Sequence, residues 1–107
     1  MSKLLEKQFK FSLMVTRLVY FAESEGYKIS LGYAYRDPEG NKLIGGHPKS
    51  LHTKRLAIDL NLFKDGVYLK KTEDYTPLGE YWESLGGSWG GRFNDGNHFS
   101  LEHKGIK

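Results

Sequence analysis

The chain has 107 residues, a net charge of +3 and no cysteine. This length suits one domain with one modest core, and the lack of cysteine excludes disulfides and thiolate metal sites. The positive charge favours anionic partners such as nucleic acid, cell-wall polymers or phospholipid surfaces, although scattered lysines are also typical of an ordinary solvated surface. No apolar run approaches the roughly 20 residues that cross a bilayer, and the basic N-terminus lacks the pattern of a signal peptide.

The hydrophobic pattern predicts two helices. Residues 4–25 carry apolar side chains at the i, i+3, i+4 spacing, and Gly26 can end that helix. The second helix begins near Thr76 and Pro77 and stops at the glycines that follow Leu85.

The remaining segments predict a sheet. Alternation of apolar and polar residues indicates strands at Lys28–Tyr35, Leu56–Phe63 and His98–His103. Asp65-Gly66 predicts a hairpin that returns through Val67–Leu69, while residues 37–40 are typical of a turn and 41–49 of a loop. The order α-β-β-β-α-β predicts an α+β fold, in which a single small domain, residues 1–107, packs a mainly antiparallel sheet against two helices.

Asp59 stands on the polar face of an otherwise apolar strand. A buried lone carboxylate is costly unless it is paired or bound to a metal. His98 falls on the polar face of the last strand, and His52 lies in the loop seven residues before Asp59. Adjacent strands could therefore bring two imidazoles and one carboxylate together, a set that suits a catalytic zinc site with one open position.

Other polar residues could complete this site. Asp95, three residues before His98, could accept a proton from an attacking water, or it could be a turn residue only. Arg36 and Arg92 could each face a developing oxyanion. Packing is the commoner role for a tryptophan such as Trp89. The predicted substrate-binding residues are Ser50, Trp89 and Arg92.

Together these segments resemble the M15 peptidases, and in particular the small phage endolysins of the L-alanyl-D-glutamate endopeptidase type. The motifs that carry the resemblance are Ser50-Leu51-His52, Leu56-Ala57-Ile58-Asp59, Tyr81-Trp82-Glu83-Ser84-Leu85-Gly86, Trp89-Gly90-Gly91-Arg92-Phe93 and Asp95-Gly96-Asn97-His98-Phe99, with Tyr35-Arg36. The resemblance implies that His52, Asp59 and His98 bind Zn²⁺. It also implies that Asp95 is the general base and that Arg36 binds or polarises the substrate carbonyl.

The function implied by the resemblance is zinc-dependent cleavage of the L-Ala–D-Glu bond in the peptidoglycan stem peptide by a phage endolysin. Such an enzyme would be a monomer with no nucleic-acid partner and no stable membrane association. It would be made in the host cytoplasm without a signal peptide and act on the cell wall after membrane permeabilisation. The alternatives are a D-alanyl-D-alanine carboxypeptidase of the same family, a non-catalytic cell-wall-binding module and a basic metal-dependent nuclease.

Two departures from the family's pattern bear on the site. Many relatives have glycine three residues after the first histidine, where this chain has Arg55, which predicts a different loop path. The Asn41–Lys49 loop is short, and its two glycines and few bulky groups favour a cleft that is open at both ends.

Overall fold

The computed structural model describes residues 1–107 and contains three helices and five strands. In chain order these are α1 (Lys3–Ser24), β1 (Lys28–Leu31), α2 (Pro38–Leu43), β2 (Ala57–Lys64), β3 (Val67–Leu69), α3 (Thr76–Ser84), β4 (Ser88–Trp89) and β5 (His98–Ser100). Three short 3-10 turns connect them, at Leu51–Lys54, Thr72–Tyr75 and Gly90–Phe93. None of the helices is both long enough and apolar enough to cross a membrane.

Strand β2 is the centre of the sheet. It pairs antiparallel with β1, β3 and β5, and β4 is added at the far side of β5. The register places Asp59 of β2 directly opposite His98 of β5. The predicted α+β class, with a mainly antiparallel sheet, is confirmed.

The core lies between one face of this sheet and the helices α1 and α3. Phe11 of α1 packs edge-on against Trp82 of α3 with ring centroids 5.7 Å apart, and Trp82 packs against Phe99 of β5 at 5.9 Å. The indole Nε1 of Trp82 donates to the Ser100 carbonyl at 2.8 Å, so this large buried ring keeps its hydrogen bond. Alternate residues of β2 face the same core, namely Ile58, Leu60 and Leu62.

Four elements differ from the sequence-based expectation, one of them the short strand β4, which was not predicted. Helix α2 occupies a stretch expected to be turn and loop, because the Asp37 carboxylate accepts from the Gly40 N–H and Pro38 stands in the first turn. Strand β1 ends at Leu31 rather than Tyr35, although two further backbone bonds join Gly32 and Tyr33 to Asp59. Strand β5 ends at Ser100, before the chain turns through residues 103–106.

Arg55 adopts the backbone conformation that glycine favours. It ends the turn that carries His52 with a φ of 58°. For a residue with a side chain, this left-handed conformation costs about 1–2 kcal/mol. The Arg55 guanidinium lies 4.0 Å from the centre of the Tyr35 ring, a contact that offsets part of the cost. Glycine would fit the same backbone, so arginine changes the energy of this turn without requiring a different path.

Two substitutions separate the backbone cost from the aromatic contact. Arg55→Gly and Arg55→Ala both remove the contact with Tyr35, but only glycine relieves the left-handed strain. We therefore expect Arg55→Gly to be more stable than Arg55→Ala by about 1 kcal/mol in urea unfolding. Equal stability of the two variants would mean that the turn is not strained at this position.

Candidate metal centre

The pairing of β2 with β5 brings Asp59 and His98 together. Side chains of directly opposed residues in antiparallel strands point to the same face. The His98 Nδ1 atom lies 3.2 Å from Asp59 Oδ1. Both side chains are largely buried, with 13% of His98 and 21% of Asp59 exposed. The strand register alone therefore brings together two of the three residues of the candidate centre.

His52 reaches the same carboxylate from the turn before β2. The Ser50 hydroxyl begins this turn by accepting from the His52 N–H at 3.2 Å. The turn buries His52 almost completely and places its Nε2 atom 3.4 Å from Asp59 Oδ1. The other ring nitrogen, Nδ1, lies 2.7 Å from the Ala34 carbonyl. A carbonyl can only accept, so Nδ1 carries the proton of a neutral ring.

This arrangement fits a bound cation. With the proton on Nδ1, neutral His52 presents a lone pair at Nε2 toward a carboxylate oxygen, and two acceptors so placed need a proton or a metal between them. Ligands that surround zinc tetrahedrally at about 2.0–2.2 Å lie roughly 3.3–3.6 Å apart. The spacings of 3.4 and 3.2 Å are close to this, and all three ligand atoms lie within 4.8 Å of one another. His52, Asp59 and His98 could hold zinc.

The two histidines also set the protonation of Asp59. Burial acts to raise the pKa of this carboxyl, but without a metal ion the protonated rings of His52 and His98 donate hydrogen bonds and supply positive charge, which outweigh burial and lower the pKa from 3.8 to about 2. Asp59 is consequently ionised across the range in which the histidines can become neutral ligands.

Asp95 lies beside the centre and outside the ligand group. Its backbone closes the turn that leads into β5, since the His98 N–H donates to the Asp95 carbonyl at 3.1 Å. The side chain is exposed and shares a surface cavity of about 420 Å³ with Ser50 and His98. Gly90 allows this close approach, because a Cβ there would collide with the Asp95 carbonyl and the His98 side chain. A carboxylate so placed is free to accept a proton from a molecule in the cavity.

Arg36 contacts the turn that carries His52. The backbone N–H of Arg36 donates to the His52 carbonyl at 3.2 Å, and the guanidinium Nη2 atom is 3.4 Å from the Ser50 hydroxyl. The Nε atom is buried and has no hydrogen-bond partner in the protein. An unpaired buried donor is unusual in a folded chain, and here it leaves the guanidinium with a hydrogen bond to offer to a ligand.

The structure gives the three predicted substrate-binding residues different surroundings. Ser50 faces the cavity and supports both Arg36 and His52. Trp89 is only 4% exposed, and its Nε1 donates to the Gly96 carbonyl at 2.7 Å, so most of its ring packs in the core.

Arg92 forms an ion pair with Glu83. Its Nε and Nη2 atoms bind both carboxylate oxygens of Glu83 in α3, at 2.9 and 2.6 Å. This hydrogen-bonded pair lowers the pKa of Glu83 and raises that of Arg92. Of the two arginines considered for the oxyanion, only Arg36 contacts the turn that holds His52.

Sequence reasoning missed the Ala34 carbonyl and the role of Gly90. The Ala34 carbonyl fixes the tautomer of His52 through the backbone, which leaves no mark on residue type. Gly90 could have been suspected from the glycine-rich run around it, but its contact with Asp95 depends on how the turn closes.

Comparison with known proteins identifies the class of this centre. The sequence pattern of a peptidase M15 family described as D-alanyl-D-alanine carboxypeptidase matches residues 45–101, just over half of the chain. The chain therefore belongs to the M15 family of zinc peptidases. The matched residues include His52, Asp59 and His98. Among curated protein sequences, none matches.

Two solved structures share the fold. The L-Ala D-Glu endopeptidase ChiX of Serratia marcescens is 19% identical, with a TM-score of 0.64 over 94% of this chain and 87% of that chain. The vancomycin-resistance D,D-pentapeptidase VanY of a VanB-type cassette, in complex with Zn(II), is also 19% identical, with a TM-score of 0.62 over 85% and 70%. At this identity the likeness concerns the fold.

Removal of any one ligand should empty the centre. His52→Ala, Asp59→Ala and His98→Ala should each lower bound zinc well below one per chain after dialysis, because three protein ligands are the usual number for such a site. Zinc can be measured by atomic absorption, with His47→Ala as the matched control. His47 lies in the same cavity but outside the ligand group. Stoichiometric zinc in all three variants would contradict the assignment.

Acid should reveal the Asp59 interaction in the zinc-free protein. Because the folded state lowers the pKa of Asp59 from 3.8 to about 2, the ionised form stabilises the fold above pH about 4, and this contribution disappears as the pH falls through 2. With chelator present, wild type should lose more unfolding free energy between pH 4.5 and 2 than Asp59→Asn does. Parallel losses in urea titrations would show that Asp59 does not carry this dependence.

Proposed function

We propose that this chain is a zinc-dependent peptidoglycan peptidase that cleaves the L-Ala–D-Glu bond of the stem peptide. The observation that carries the proposal is the convergence of His52, Asp59 and His98 at the edge of a cavity that also contains a free carboxylate. Zinc held by these three residues would polarise a carbonyl and lower the pKa of a water molecule. The other steps belong to side chains around it.

Asp95 is the proposed general base. Its carboxylate is exposed, makes no side-chain hydrogen bond and faces the cavity beside His98. It can therefore take the proton from the attacking water and deliver it to the leaving amine.

Arg36 is the proposed electrophilic partner. Ser50 lies within 3.4 Å of one guanidinium nitrogen, which holds the group beside the turn of His52. A planar guanidinium with an unpaired Nε–H can donate to the carbonyl oxygen as negative charge develops there. Ser50 then acts chiefly by positioning Arg36, Trp89 by supporting the loop before β5, and Arg92 by tying that loop to α3.

An internal bond is favoured over a terminal one by the space around the centre. A second cavity, of about 470 Å³, lies on the Arg36 side, so a peptide has room on both sides of the candidate centre. The fold shared with the Serratia marcescens L-Ala D-Glu endopeptidase over 94% of this chain supports the same choice. The competing function is removal of terminal D-alanine, which the description of the matching family and the likeness to VanY favour.

The proposal extends to the biological setting. The resemblance to small endolysins supports a phage lysis enzyme that works as a monomer. It would be made in the host cytoplasm and would reach the stem peptide once the membrane has been permeabilised.

Asp95→Asn should separate the base from the ligands. The asparagine variant should retain the fold and about one zinc per chain, yet hydrolyse peptidoglycan at least 10²-fold more slowly, as expected for a missing general base. Zinc content and turbidity loss of purified sacculi would be measured together. Loss of zinc in this variant would make Asp95 a ligand instead.

The bond itself is tested by mass spectrometry of the products. Zinc-loaded enzyme acting on purified peptidoglycan should release peptides that begin with D-Glu and should leave L-Ala on the glycan. Chelator should stop the release, and Asp95→Asn should be the inactive control. Free D-alanine as the main product would replace the endopeptidase with the carboxypeptidase and leave the zinc assignment intact.

A further inference from the structure

A second depression adjoins the cavity of the candidate metal centre. The first cavity is lined by His98 and Asp95 and also by Lys49, Leu51 and Ile106. These last three residues also line the second depression, of about 260 Å³. The two spaces are therefore adjacent and together form one groove. An extended ligand can run along it from the candidate centre into the second depression.

The combined groove is strongly cationic. The ammonium groups along it come from Lys49, Lys54, Lys104 and Lys107. None of these four lysines lies within ion-pairing distance of a carboxylate. The carboxylate of Glu102, the acidic residue beside the groove, accepts from the Gly105 N–H at 2.6 Å and is held by its own turn. The four ammonium groups are therefore unpaired, and they outnumber the one side-chain carboxylate, that of Asp95, that lines the same groove.

The pKa of His103 is lowered by burial and by the positive charges around it. These neighbouring charges are those of Lys7, Lys104 and Lys54, which outweigh the opposite effect of Glu102 on the pKa. Uncompensated charge of one sign raises the local concentration of ligands of the opposite sign.

The groove is also held in shape. Residues His103 and Ile106 exchange two backbone hydrogen bonds of 3.0 Å, which close the turn that presents Lys104. The Lys7 ammonium donates to the Glu102 carbonyl at 2.9 Å and so fastens this turn to α1. Buried Leu51 also lines the groove and immediately precedes His52 in the chain, so the groove is connected to the candidate centre.

We propose that this lysine groove, defined by Lys49, Lys54, Lys104 and Lys107, binds the free carboxylates of the stem peptide next to the cleaved bond. The inference rests on the proposed function. A D-glutamyl residue joined to its neighbours through its amine and one carboxyl keeps its second carboxylate free, and that group lies within one residue of the bond. An acidic peptide is favoured over a longer polyanion because the groove begins at the candidate centre and is short. Its apolar wall of Leu51 and Ile106 also suits peptide methylene groups.

The test compares two charge-matched double variants of the zinc-loaded chain. Lys49→Gln/Lys104→Gln removes two charges from the groove, and Lys28→Gln/Lys64→Gln removes two from the far end of the sheet. Lys64 is five residues beyond Asp59 on β2, or about 17 Å. The substrates are an L-alanyl-D-glutamyl stem peptide and its analogue with the free glutamyl carboxylate amidated.

For the acidic peptide, the groove variant should raise KM about five- to tenfold with kcat within about twofold, as expected for the loss of two exposed charge contacts. The control variant should leave KM unchanged. For the amidated peptide, wild type and groove variant should share the same higher KM. High salt should remove most of the wild-type advantage on the acidic peptide.

Three outcomes would overturn the proposal: an unchanged KM in the groove variant, an equal rise of KM on the amidated peptide, or inhibition by polyphosphate at far lower concentration than by the acidic peptide. Failure of the proposed function is distinguishable, because wild type would then leave the L-alanyl-D-glutamyl bond intact in both the peptide and the sacculi. In that case, calorimetric binding of the acidic peptide to wild type decides the matter: weaker binding by the groove variant supports the groove, and equal binding overturns it.

Discussion

The register between β2 and β5 is the constraint on which the rest of the molecule depends. It sets Ile58 opposite Phe99 in the core and Asp59 opposite His98 on the other face. A slip of one residue would turn the carboxylate toward the helices and an apolar side chain toward the cavity. Burial of the apolar pair Ile58 and Phe99 therefore selects the register. The same register fixes the positions of the candidate metal ligands Asp59 and His98.

The candidate centre concentrates groups that do not stabilise one another unless a proton or a metal ion lies between them. His52 has its proton committed to the Ala34 carbonyl, so its second nitrogen faces the Asp59 carboxylate as an acceptor. Arg36 adds a buried donor without a partner, and Arg55 holds a left-handed backbone directly after the turn of His52. These unfavourable features lie around one turn, while the large aromatic residues of the core keep all their hydrogen bonds. Such a division is typical of a functional site carried by a stable scaffold.

Periodicity predicted the parts of this fold that repeat. The 3.6-residue pattern located α1 and α3, the alternation in β2 separated Asp59 from the leucines, and Asp65-Gly66 located the hairpin. Helix α2 was missed because six residues are too few to show a period, and its cap at Asp37 also suits a turn. The ion pair of Arg92 could not be predicted, because Glu83, its partner, lies nine residues earlier in the chain, before β4. Trp89 could be placed in the core only once its pairing with Phe99 was known.

The two sides of the candidate centre differ in charge, and this difference gives the site a direction. On one side, Arg36 is accompanied by exposed Tyr33 and Tyr35 and by the apolar side chains at the end of α2. On the other side, lysines line the groove beyond Asp95. A stem peptide is equally uneven, since its acidic residues lie on one side of the L-Ala–D-Glu bond and the uncharged L-alanine lies on the other. In the proposed function, carboxylates bound in the lysine groove would leave the L-alanyl side to extend toward the tyrosines, so the charge asymmetry would set the orientation in which the bond meets Asp95 and Arg36.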